Sequence, residues 1–107
     1  MSLSVKDSVR LTGIAPQMIL AAIVAEGVYR DENAPCVITS CIDSKHRIAS
    51  LHYVGHGLDL RTNNLLPEVR QTVADSLRER LGAEFDVILE DDHIHVEWQP
   101  KGHLTDG

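Results

Sequence analysis

The chain has six histidines against one Phe, one Trp and two Tyr in 107 residues, and most of the histidines fall in two stretches. The first is Ser50-Leu51-His52-Tyr53-Val54-Gly55-His56-Gly57-Leu58-Asp59, and the second is Asp92-His93-Ile94-His95. Imidazole and carboxylate are ligands suited to zinc. A structural zinc site closes four ligands around the ion, whereas a catalytic one keeps three and an open position for water. His52, Asp59 and His95 supply three. A chain bending at Gly55 and Gly57 can bring Asp59 back toward His52. His95 falls at a strand position pointing away from the core. Spacing alone leaves an alternative open, because a row of polar residues on a strand is also the pattern of a solvated face.

The elements that must position these residues follow from hydropathy and punctuation. Pro16 suits the first turn of a helix, where its missing N–H is no loss. The helix is predicted to run to about Tyr29. From Met18 to Ala25 it is apolar nearly all round, so it is expected to be buried in a core or against a partner, including a second copy of the chain. Arg30 to Pro35 is a polar turn. Cys36 to Ser40 reads as a short, largely buried strand. Gly57 to Arg61 alternates, with Leu58 and Leu60 toward the core and Asp59 away from it. Pro67 opens a second helix and Gly82 closes it, with Val69, Val73, Leu77 and Leu81 as its apolar stripe. Phe85, Val87 and Leu89, then a turn from Glu90, then Ile94, Val96 and Trp98, form a β-hairpin. Its second strand presents His93, His95 and Glu97 in a row on the other face. Residues 1–13 carry no clear element, and the tail after about residue 99 is expected to be loose.

This order of elements predicts a single α+β domain, a small antiparallel sheet with helices packed on one side. The net charge of -6 argues against a nucleic-acid surface. Leu11 to Ala25 is uncharged and follows Lys6 and Arg10, a loose likeness to a signal peptide, but it is too short to span a membrane. The buried-helix reading is stronger, so synthesis in the cytoplasm with release by lysis or carriage in a particle is expected. Cys36 and Cys41 are separated by an odd spacing, which predicts opposite faces of one strand and no bridge between them.

The first stretch resembles the Ser-x-His-x-x-Gly-x-Ala-x-Asp motif of the zinc D-alanyl-D-alanine carboxypeptidases, with Gly57 where Ala is usual. That family includes vancomycin-resistance dipeptidases and phage L-alanyl-D-glutamate endolysins. Asp92-His93-Ile94-His95 is similar to the family's second motif. Both stretches also resemble the Hedgehog signalling domain, which shares the fold. The likeness runs from about Cys36 to Trp98, and two motifs in the right order make it specific.

The resemblance implies one zinc ion held by His52, Asp59 and His95. It implies Asp92 as the general base and His93 as a partner of the oxyanion or the substrate carboxylate. Glu90, across the turn, is the competing base. His56 reads as an exposed loop residue and is, with Ser50 and His46, a secondary candidate for substrate contact. The implied function is hydrolysis of peptidoglycan stem peptides, in a phage or prophage setting. One departure bears on this. The peptidases carry an Arg after the first strand, where this chain has Ser40-Cys41-Ile42-Asp43. Lys45, His46 or Arg47 could substitute from the loop. Without a cation there, a developing oxyanion loses one stabiliser. The alternative is therefore a zinc-containing binding or structural module on the same scaffold.

Overall fold

A computed structural model of the protein describes residues 2–7, 9, 11, 14–42 and 56–99. The elements in chain order are β1 (Leu3–Val5), α1 (Pro16–Asp31), β2 (Cys36–Ile42), β3 (Gly57–Arg61), α2 (Pro67–Leu81), β4 (Phe85–Leu89) and β5 (His93–Trp98). The five strands form one sheet in the order β1-β2-β3-β5-β4. The domain is α+β, as expected, but the sheet is mixed, which corrects the antiparallel expectation. Strand β1 lies parallel to β2, with Val5 beside Ile38, while every other pairing is antiparallel. Parallel neighbours need a long crossover, and α1 supplies it. Three residues are too few to show the period of two by which a strand is recognised in sequence.

Local chemistry sets the helix ends. Pro16 and Pro67 stand at the first helical positions, and neither preceding residue caps with its side chain. Gly82 ends α2 at φ 85°, a left-handed conformation that favours glycine, and its N–H reaches the Arg78 carbonyl. Asn33 takes the same region at φ 59° after α1, as asparagine tolerates.

The core lies between one face of the sheet and the two helices. Ile38, Leu58, Leu60, Ile94 and Val96 from the strands meet Met18, Ala21, Ala25 and Tyr29 of α1 and Val73, Ala74 and Leu77 of α2. Helix α1 is not buried all round. Its core stripe is Met18, Ala21, Ala22, Ala25, Val28 and Tyr29, whereas Ile19, Leu20 and Ile23 are 50%, 63% and 58% exposed. A helix laid on a sheet covers only one stripe of its circumference, and here the larger aliphatic residues fall on the other side.

Strand β2 carries a second correction. Its register with β3 shifts between Ile38 and Ser40, so Thr39 is an extra residue on the β2 side. The bulge resets the alternation. Cys41 lies opposite Leu58 just as Ile38 lies opposite Leu60, so Cys36 and Cys41 pack toward the same core instead of opposite faces. Neither forms a disulfide among the described residues. Burial pushes the Cys36 thiol up to about 12.

Candidate functional site

The outer face of the sheet, away from the helices, collects the side chains with chemistry. The pattern of two puts Asp59 and Arg61 of β3 on this face, because Leu58 and Leu60 are taken by the core. The same rule turns His93, His95 and Glu97 of β5 outward while Ile94 and Val96 are buried. Pairing then aligns the two strands. Asp59 lies directly opposite His95, Arg61 opposite His93, and Gly57 opposite Glu97. Directly opposed residues on one face are the closest cross-strand neighbours. Residues 36 positions apart in sequence are thereby brought into contact.

The contact is polar. His95 Nδ1 stands 2.8 Å from Asp59 Oδ1, and His95 Nε2 stands 2.9 Å from Glu97 Oε1. Both ring nitrogens thus face carboxylates. The hydrogen bond to Asp59, then that to Glu97, lifts the His95 pKa to about 9 against the opposing effect of burial. His93 Nε2 approaches the same Asp59 oxygen at 3.6 Å, and its Nδ1 lies 2.6 Å from Asp92 Oδ1. The bond to His93 holds the exposed Asp92 carboxyl below the usual carboxylate range.

A second layer sits behind His95. Glu97 accepts a hydrogen bond from the Gln99 side-chain amide. Its Oε2 also lies 3.4 Å from His56 Nε2. His56 is buried rather than an exposed loop residue, and its carbonyl accepts the Trp98 N–H at 2.9 Å. That bond ties the residue before β3 to the end of β5. Glu97 and Gln99 were not singled out from sequence. The signal for Glu97 was present in the period-two row His93, His95, Glu97, and its role appears only once His95 is seen to need an orienting partner.

A groove of about 400 Å³ borders the cluster. Asp59, His93 and Asp92 line it together with Thr39, Arg61 and Lys6. Asp92 therefore belongs to the groove, whereas its competitor Glu90 is an exposed hairpin residue whose N–H bonds the His93 carbonyl at 2.8 Å. Thr39 reaches this face because of the bulge, and its hydroxyl stands 3.5 Å from the Asp59 carbonyl.

His52, Ser50, His46 and Asp43 lie outside the described residues, as do Lys45 and Arg47. Among the described residues no group of three His, Cys, Asp or Glu side chains is set to hold a metal ion. The donor chemistry nevertheless suits zinc in two respects. Asp59 and His95 offer an oxygen and a nitrogen side by side. Glu97 on His95 Nε2 is also the carboxylate–imidazole arrangement that fixes the tautomer of a metal-binding histidine and frees its other nitrogen.

The fold and the site define a small α+β domain with a mixed five-stranded sheet, two helices on one face and a His–Asp–Glu cluster on the other. Compared with known proteins, the chain matches no family model, no curated protein and no solved structure.

Proposed function

We propose that this chain is a zinc-dependent metallopeptidase that hydrolyses peptide bonds of peptidoglycan stem peptides, on a scaffold like that of the Hedgehog domain and the D-alanyl-D-alanine peptidases. The observation that carries the reading is the 2.8 Å approach of Asp59 and His95, the last residues of the two motifs, with Glu97 behind His95. His52 would complete the ligand set with them, and four chain positions separate it from the buried His56. Zinc, when bound, lowers the pKa of its water to about 7 and polarises a carbonyl.

The remaining work falls to side chains of this domain. Asp92, kept ionised by His93, accepts a proton at the groove and returns it to the leaving amine. His93, on the same groove, donates to substrate oxygen. A carboxylate of low proton affinity is a weak base, so substrate must draw His93 away from Asp92 for proton transfer to be efficient.

Asp43 favours a second reading, since it stands where the peptidases carry Arg. In that reading the domain holds zinc and binds its ligand without hydrolysis.

Elemental analysis of untagged protein purified without added zinc, beside His95→Ala, tests the shared premise. About one zinc per chain, lost in the variant, is expected. No metal even after zinc is offered would end both readings. Release of new amines from purified peptidoglycan, abolished in Asp92→Ala with zinc retained, separates the enzyme from the module.

A further inference from the structure

The layer behind His95 holds more than the orientation of one imidazole by one carboxylate requires. Glu97 has two oxygens, and each has a separate task. Oε1 faces His95 Nε2 at 2.9 Å. Oε2 is held by two groups, the Gln99 side-chain amide and His56 Nε2, the latter at 3.4 Å. An ionised carboxylate only accepts, so both neighbours donate to it. Two donors on one oxygen leave the other oxygen with a fixed direction, and that direction is His95.

Of the two donors, His56 is the better mounted. Its side chain is 9% exposed, against 27% for Glu97. Its carbonyl accepts the N–H of Trp98, the residue next to Glu97, at 2.9 Å. Gly57, which follows His56, lies directly opposite Glu97 and has no side chain to meet it. The ring of His56 takes that part across the strands. Gln99 holds Glu97 only from beyond the last residue of the same strand. A ring that merely filled space could be exchanged for an apolar side chain at little cost, whereas a buried donor on a charged acceptor could not.

The contacts form one line. His56 meets Glu97 Oε2, Glu97 Oε1 meets His95 Nε2, and His95 Nδ1 meets Asp59 Oδ1 at 2.8 Å. It begins at a buried residue and ends at the pair of donors on the outer face.

We propose that His56 is a positioning residue for the Asp59–His95 pair: by holding Glu97 Oε2 it turns Oε1 onto His95 Nε2, and so keeps Nδ1 of that ring aimed at Asp59. The consequence for zinc rests on the metallopeptidase reading above, but the orientation of His95 is readable without metal.

Metal-free protein at neutral pH is compared by NMR as wild type, His56→Leu and His56→Gln, with unfolding midpoints alongside. Glutamine places an amide N–H near the position of the imidazole Nε2, whereas leucine has no donor. In the wild type the His95 Nε2 proton is expected to give a resolved downfield signal that exchanges slowly with water. His56→Leu should speed that exchange by ~10-fold or more, the worth of one hydrogen bond to a charged group. His56→Gln should keep most of the protection. With zinc, chelator competition should show binding ~3- to 10-fold weaker in His56→Leu, less than the loss of an immediate partner of the ligand, and close to wild type in His56→Gln. Adding His56→Leu to Glu97→Ala should weaken zinc binding no further, because the two act through one carboxylate.

Unchanged exchange in folded His56→Leu, equal effects of His56→Leu and His56→Gln, or a loss that adds to that of Glu97→Ala would overturn the positioning role. If His56→Leu does not fold, His56→Asn, whose shorter amide falls short of Oε2, takes its place. An unprotected His95 Nε2 proton in the wild type overturns the role without any variant. If the wild type binds no zinc, the metallopeptidase reading fails, and proton exchange alone decides the role of His56.

Discussion

The two faces of strands β3 and β5 are made by the same backbone and differ in almost everything else. On one face Leu58, Leu60, Ile94 and Val96 are buried against the helices. On the other, one residue out of step, stand Asp59, Arg61, His93, His95 and Glu97. The apolar face gains its free energy from burial, which is non-directional. The polar face depends on direction, because each imidazole nitrogen must meet a particular oxygen. The apolar face therefore fixes the register, since a slip by one residue would turn every leucine outward. The polar face inherits that register and needs no further force to bring Asp59 opposite His95.

The largest effect is expected from the apolar face. Leu60→Ala, at a fully buried position, should cost ~2–5 kcal/mol, read as a fall in the denaturant midpoint. Asp59→Asn on the neighbouring residue should cost far less when the two are compared above about pH 9, where His95 has lost its proton. Comparable losses from the two would show that the polar cluster itself holds the strands together.

A middle-sized effect tests the polar face alone. Glu97→Gln keeps the size of the side chain but removes the charge behind His95. Zinc affinity, measured by chelator competition, should fall by ~10- to 100-fold with little change in unfolding midpoint. Unchanged affinity would mean that Glu97 does not orient His95.

The smallest effect is on pH dependence in metal-free protein. The folded pKa of His95 is raised, chiefly by Asp59, to about 9 from an ordinary value of 6.5. The folded state thus binds this proton more tightly than the unfolded chain does. The stabilisation is whole below the unfolded pKa of about 6.5 and is lost as pH rises through about 9. A decline on the order of 2 kcal/mol is expected across that window. Asp59→Asn should flatten it. Zinc competes with the same proton, so its affinity should rise with pH over the same range.

Much of the polar face was legible because its signal is local. The alternation from Gly57 to Arg61 and from His93 to Trp98 assigns each residue to a face within one strand. The stripe of α2, with Pro67 at its start and Gly82 at its end, is likewise written in neighbouring residues. What was misread was non-local. Strand β1 is too short to be seen without its partner, and it exists because Leu3–Val5 pairs beside β2. The exposure of Ile19, Leu20 and Ile23 depends on which stripe of α1 the sheet accepts. The burial of His56 depends on Glu97 and Trp98, both supplied by a strand far along the chain.

By itself the sequence determined the α+β class, the residues facing outward on β3 and β5, and Asp59 and His95 as a pair worth bringing together. Period and punctuation reach only a few residues along the chain. The tertiary structure alone decided that Lys6, Thr39 and Arg61 share a groove with Asp92 and His93. Those residues come from β3, from β5 and the turn before it, from a bulge in β2 and from the end of an edge strand. Only the pairing order of the sheet, driven by burial of its other face, brings such distant positions together.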